Sequence, residues 1–218
     1  MSVSGDGTTI VGFTDRFGSG SIPFRWTSGT GMAKMASVTG ATATSAVKIS
    51  RDGSVVLGSD YNGNDLTGDV GIVWSGSAVG QILNFPVGYL DAQAIAVTSD
   101  GSAIFGFYQA YAGPGIPFKW TQAAGAANLT QSTLNIWGVS DVSGDGSVMI
   151  GDAGSGGYVW DLSNGPPRLL GDILVAEGAN LNGLTLYPYA ISEDGNVIVG
   201  SAATDSPSAS VAFLARWR

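Results

Sequence analysis

A ten-residue stretch, Val142-Ser143-Gly144-Asp145-Gly146-Ser147-Val148-Met149-Ile150-Gly151, recurs in variant form five times along the 218-residue chain. The other copies start at Val3, Ile49, Val97 and Ile191 and read VSGDGTTIVG, ISRDGSVVLG, VTSDGSAIFG and ISEDGNVIVG. Their aspartates, Asp6, Asp52, Asp100, Asp145 and Asp194, follow one another at intervals of 46, 48, 45 and 49 residues. Self-similarity at this period confines the chain to stacked or ring-like repeat architectures. A unit this small cannot bury its own apolar face and must cover it with its neighbours.

Each copy places Asp-Gly between two apolar runs, a tight-hairpin signal in which glycine supplies the positive φ. The second arm is apolar throughout, as in Val55-Val56-Leu57 and Val148-Met149-Ile150. Such a short continuous run reads as a strand covered on both faces. A third strand follows a loop of variable length and carries a tryptophan: Phe24-Arg25-Trp26, Ile72-Val73-Trp74, Phe118-Lys119-Trp120, Tyr158-Val159-Trp160 and Phe213-Leu214-Ala215-Arg216-Trp217. Alternation along a strand puts the large apolar groups on one face, buried between units, and Arg25, Lys119 and Arg216 on the other. With an outer fourth strand per repeat, the expectation is an all-β fold: a β-propeller of five blades of about 45–49 residues, forming one domain over 1–218. Repeat 4 is stretched, with 34 residues from Trp160 to Asp194 against 25 or 26 in the three earlier repeats. The apolar spacing at Leu169, Leu170, Ile173, Leu174 and Ala176, before Gly178, predicts a short helix inserted there, over about Leu169–Glu177, capping one end of the ring.

Composition excludes several chemistries. The chain has no cysteine and no histidine, which removes Cys/His metal sites, Ser-His-Asp triads and thiol nucleophiles. Nine Lys and Arg against 17 Asp and Glu give a net charge of −8, which repels phosphate backbones and anionic lipid, so no nucleic acid and no membrane insertion are expected. No cofactor and no tight metal site are expected. Asp60, Asn62 and Asn64 in the loop from Ser59 to Gly71 have the spacing of oxygen ligands to calcium, but Asp65 stands where such a loop needs glycine and no glutamate closes it. The five turn aspartates read as turn chemistry and the in-phase tryptophans as core.

What remains for recognition lies in the loops. If loops after the second strand share one face, Asp15, Asp60, Asp152 and Asp205 approach one rim, with Tyr61 and Asn62 beside Asp60. Tyr108 and Tyr111, in the corresponding loop of repeat 3, are candidate exposed contacts. Trp137 is the one tryptophan out of phase with the repeat, and so a candidate contact residue.

The Ser-x-Asp-Gly hairpin, the valine-glycine ending and the Phe-x-Trp strand together resemble the bacterial extracellular HAF-repeat family, and the segment from Arg168 to Trp217 is similar to the closing part of such arrays. The chain has Pro-Phe, Gly-Ile or Val-Ala where the family's name motif has His-Ala. The resemblance implies secretion or display at the bacterial cell surface, with no general enzymatic activity attached. The expected function is a non-catalytic recognition or adhesion module for a glycan or a surface protein. One alternative is a five-bladed glycosidase using two carboxylates of the acidic rim across a cleft. Another is a purely structural surface spacer. Because repeat 5 stops just after its tryptophan strand, its blade is expected to have three strands, with Ala212 to Trp217 as an exposed edge that invites dimerisation.

Overall fold

The computed structural model describes residues 1–16, 20–36, 43–61, 69–76, 80–83, 91–109, 113–130, 134–203 and 210–218. It is all-β with one short helix. Repeat 1 forms β1 (Ser2–Val3), β2 (Thr9–Arg16), β3 (Gly20–Thr27) and β4 (Gly31–Lys34). Repeat 2 forms β5 (Ala43–Ile49), β6 (Val55–Tyr61), β7 (Asp69–Ser75) and β8 (Gln81–Ile82). Repeat 3 forms β9 (Asp91–Val97), β10 (Ala103–Gln109), β11 (Ile116–Thr121) and β12 (Gly125–Asn128). Repeat 4 forms β13 (Gly138–Val142), β14 (Val148–Asp152), β15 (Gly157–Asp161), β16 (Arg168–Leu169) and the helix α1 (Leu170–Ala176). Repeat 5 forms β17 (Thr185–Ile191), β18 (Val197–Ala203) and β19 (Ser210–Arg216). Within each repeat the strands pair antiparallel in chain order, and a single parallel bridge, Val70 to Ala92, ties repeat 2 to repeat 3.

The hairpin turn is built identically five times. In repeat 4 the Ser143 hydroxyl donates to Asp145 Oδ1 at 2.7 Å and accepts from Val148 N–H at 3.0 Å, while Ser147 N–H donates to the same Oδ1 at 2.9 Å. Gly146 closes the turn with φ +71°, a conformation that a Cβ would strain. These bonds hold the turn carboxylates below their usual range. Asp6 is lowered to about 2, chiefly by the Ser4 hydroxyl, and Asp100 to about 2, chiefly by Ser102 N–H. Asp52, Asp145 and Asp194 are lowered for the same reason. A carboxylate whose folded pKa is depressed adds stability above its unfolded value of roughly 4, and that stability is lost as pH falls through the folded value. Urea midpoints should therefore hold from neutrality down to about pH 4 and fall steeply from there toward about pH 2, where the folded-state values lie. A flat midpoint across that window would show that the turn bonds carry no net stability.

The glycine that ends each motif has a separate cause. A Cβ on Gly106 would lie 1.9 Å from Gln93 O and 2.8 Å from the Phe118 ring; one on Gly151 would lie 2.1 Å from Gly138 O and 2.8 Å from Tyr158 Oη. Gly200 has the same surroundings, Tyr187 O at 2.1 Å and the Phe213 ring at 2.8 Å. The first strand of repeats 2 to 5 carries a β-bulge beside this glycine, at Val47, Ile95, Ser140 and Tyr189. Gly106, Gly151 and Gly200 thus sit between a ladder carbonyl and the cross-strand aromatic partner, while Gly12 lies between the Met1 side chain and the Phe24 ring.

Packing between repeats is forward face onto rear face. Leu57 and Val73 of repeat 2 meet Ala94 and Ile104 of repeat 3, and Phe105 and Phe107 of repeat 3 meet Met149 and Trp160 of repeat 4. Trp74, Trp160 and Trp217 are buried, with indole N–H groups donated to Ala36 O, Gly165 O and Gly195 O. Trp26 and Trp120 are only half-buried. Lys119 lies over the Phe105 ring, on the face opposite its tryptophan as alternation requires. In repeat 5 the phase differs from the sequence reading. Phe213 pairs with Gly200 and Ala215 with Ile198, so Ala215 occupies the tryptophan position, and Trp217 lies two residues beyond it, outside β19. Leu214, not Arg216, is the counterpart of Arg25 and Lys119.

The helix forms where the apolar spacing placed it and ends at Gly178, φ +95°, whose N–H reaches Val175 O. Leu170 and Ile173 enter the apolar cluster between repeats 4 and 5, against Val159, Ile198 and Trp217.

Candidate functional site

The bonds between turns show how the repeats are disposed. Gly5 N–H donates to Arg51 O, Asp52 N–H to Ser99 O, Ser99 N–H to Gly144 O and Gly144 N–H to Glu193 O, at 2.7 to 3.0 Å. This runs continuously from repeat 1 to repeat 5. Side chains also cross a shared axis: Lys48 of repeat 2 pairs with Asp141 of repeat 4, whose other oxygen accepts Ile191 N–H of repeat 5 at 3.2 Å. Arg51 of repeat 2 approaches Glu193 of repeat 5 at 3.9 Å, and Ser99 of repeat 3 donates to the same carboxylate. All five repeats thus line one polar cavity of about 230 Å³. Its charges are paired with one another. Asp141, only 12% exposed at its side chain, is the most enclosed of them.

Three of the four candidate rim aspartates lie toward the opposite end of the strands. Asp15 and Asp60 lie near the ends of β2 and β6, opposite Ser21 and Val70, and Asp152 ends β14 opposite Gly157. Tyr61 closes β6. The side chains of Asp15, Asp60 and Tyr61, and Asn62, Tyr111 and Asp205 altogether, fall outside the described residues, as does the loop read for calcium spacing at Asn62, Asn64 and Asp65. Asp152 is half-buried and its Oδ1 accepts Gly154 N–H at 2.9 Å, a local turn bond. Among the described residues no three or more acidic side chains gather to hold a metal ion.

Tyr108 is not an exposed contact. β10 runs on through Gln109, so Tyr108 is a sheet residue paired with Ile116 and Ala92, and its ring stacks on Phe118 at 4.8 Å, fully buried. The loop reading failed because the strand continues three residues past the motif glycine.

Trp137 is exposed. It precedes β13, fixed by its N–H on Asp152 O at 2.8 Å and by the fully buried Ile136 before it. Its indole lies against Gly154, where a Cβ would come within 2.5 Å of Nε1, and Gly154 has φ +73° in the turn after Asp152. The residue remains 46% exposed. The indole thus lies on the turn that the Asp152 carboxylate closes through Gly154 N–H. On β15, Tyr158 stands opposite Gly151, where repeats 1, 3 and 5 have phenylalanine; its hydroxyl is buried with no hydrogen-bond partner among the described residues. Burial, and then the charge of Asp152, push that phenol up. Nothing in the sequence marked Gly154, Tyr158, Lys48 or Asp141, although a charged residue inside an otherwise apolar hairpin arm was a visible departure at the last two.

These features define a β-propeller, and comparison with solved structures agrees. The chain is similar to TolB from Acinetobacter baumannii, with 14% identity and a TM-score of 0.65 over 99% of this chain and 50% of that one. It is similar also to a TolB-like protein of Agrobacterium tumefaciens, with 13% identity and a TM-score of 0.66 over 99% of this chain and 75% of that one. A third likeness is to the β-propeller domain of the Trilobed protease from Pyrococcus furiosus, described as having an open velcro topology, with 9% identity and a TM-score of 0.54 over 95% of this chain and 65% of that one. The chain spans half the length of the Acinetobacter protein. No family model and no curated protein matches. At these identities the likeness establishes the fold alone.

Proposed function

We propose that this chain is a single five-bladed propeller of the HAF-repeat type, acting outside the cell as a non-catalytic recognition module for a glycan. The observation that carries the reading is Trp137, a residue 46% exposed whose backbone N–H is held on Asp152 O and whose indole lies against Gly154, in the turn bound by the Asp152 carboxylate. Sugars are bound in this way, with the apolar face of a pyranose ring on an aromatic plate and its hydroxyls on nearby acceptors. The turn aspartates are engaged in their own turns, and the axial charges neutralise one another, so neither set competes for this role. Export follows from the HAF resemblance, and no helix among the described residues is long and apolar enough to cross a membrane.

The test is a screen against a polysaccharide and oligosaccharide panel, followed by calorimetry on the best binder. Trp137→Ala should weaken binding at least about tenfold, or roughly 1.4 kcal/mol, with the melting temperature unchanged. Affinity untouched by Trp137→Ala would remove the platform from the binding site. Turnover of chromogenic glycosides, lost on Asp152→Asn in a folded protein, would replace recognition with hydrolysis.

A further inference from the structure

The cleft between repeats 1 and 2, lined from β3, β4, β6 and β7, forms a cavity of about 380 Å³. Met35, Val56 and Trp74 give it an apolar lining, and Arg25, Thr27 and Thr30 a polar one. A partly apolar cavity of this size with a few polar groups suits a small molecule. Among the described residues its only charged lining residues are Arg25 and Lys34, both cations, although the chain carries a net charge of −8. The stretches that follow Ala36 and Gly76 in the chain, 37–42 and 77–79, contain no acid either.

Arg25 is half-buried and donates from Nη2 to Gly53 O of repeat 2 at 3.2 Å. That bond takes one of five guanidinium N–H groups and brings no countercharge. No carboxylate among the described residues pairs with Arg25. Packing between repeats does not require the cation. The corresponding cleft between repeats 2 and 3, about 290 Å³, has Val73, Gln81 and Trp120 where this one has Arg25, Ala33 and Trp74, and no charged residue lines it. In repeat 3 the counterpart of Arg25, Lys119, lies over the ring of Phe105, whereas the residue opposite Arg25 is Val11, which offers no ring.

We propose that this cleft binds a small molecule bearing a carboxylate on a single-ring body. The planar fork of Arg25 meets the carboxylate oxygens, and the ring lies against Met35, Val56 and Trp74. The hydroxyls of Thr27 and Thr30, 2.7 Å apart, meet polar substituents of that ring. An aromatic acid and the uronic acid unit of a glycan share this chemistry. The inference does not rest on the Trp137 reading, since the two sites have no residue in common.

Calorimetry with sodium benzoate and sodium glucuronate tests this, with benzyl alcohol and methyl glucoside as their uncharged counterparts. At least one acid should bind, at least about tenfold more tightly than its counterpart, and less tightly as salt is raised. Tighter binding of benzoate supports an aromatic acid as the ligand, and tighter binding of glucuronate supports a uronic acid unit. Arg25→Gln should weaken binding at least about tenfold. Because Arg25 also holds Gly53 O, Ala33→Glu serves as a second variant. Ala33 is exposed on β4 opposite Arg25, so the new carboxylate competes for the guanidinium and should weaken binding to the same degree with the melting temperature held. Failure of both acids to bind at millimolar concentration overturns the proposal. So does equal binding of the uncharged counterparts, or an affinity that survives both substitutions.

Discussion

Gly106→Ala should lower stability by on the order of 3 kcal/mol or more, enough to drop the melting temperature by roughly 10 °C in a domain of this size. The added Cβ would fall 1.9 Å from Gln93 O and 2.8 Å from the Phe118 ring, so neither neighbour leaves room. The carbonyl belongs to a hydrogen-bonded strand beside a bulge, and the ring is fully buried. A backbone atom cannot step aside as the tip of a flexible side chain does. Gly7→Ala is the informative control, because nothing lies within 4 Å of a Cβ there, although its φ of +72° strains any L-residue. It should cost about 1 kcal/mol. Thermal scans of the two variants give the comparison. Equal, small losses would mean that the closing glycine is not kept for want of room and that the bulge geometry is misassigned.

The second large effect is expected at the axis. Lys48→Met removes the only side-chain cation paired with Asp141 among the described residues, leaving an enclosed carboxylate with Ile191 N–H alone. Breaking such a pair from one side costs about 3 kcal/mol where burial is substantial. The partial exposure of Lys48 places the effect at the lower end, about 2 kcal/mol. Adding Asp141→Asn should recover most of the loss, because the amide oxygen still accepts from Ile191 and no charge remains. Urea denaturation of the two singles and the double completes the cycle. Strictly additive losses would show that repeats 2 and 4 do not meet across the axis.

The parts of this structure that were legible in the sequence are those closed within a few residues. The hydroxyl, carboxylate and glycine of each turn lie within six positions of one another, so the hairpin, its Asp and its positive-φ glycine follow from local chemistry. Burial of the second arm on both faces was legible too, since a run of apolar residues without alternation needs cover on both sides. The out-of-phase position of Trp137 separated it from the buried tryptophans. Register in repeat 5 was misread because tryptophan was matched to tryptophan, whereas the sheet aligns the aromatic residue that lies over the motif glycine, Phe213 over Gly200. Tyr108 was misread because strand length past the glycine varies between repeats, one residue in β14 and three in β10, and the longer strand turns a loop contact into a core residue. The Lys48–Asp141 pair spans 93 residues and exists only once the chain has curved round. No local pattern can report it.

That curvature brings Lys48 and Arg51 of repeat 2 to Asp141 of repeat 4 and Glu193 of repeat 5, and it can be measured directly. The chain has no cysteine, so Arg51→Cys and Glu193→Cys supply two unique labelling positions on exposed side chains of repeats 2 and 5. Five repeats around one axis predict that spin labels at the two sites lie close together, as the 3.9 Å approach of the native side chains requires. A linear stack would separate them by three sheet spacings of about 10 Å each, and a main distance peak at about 30 Å or beyond would contradict the ring.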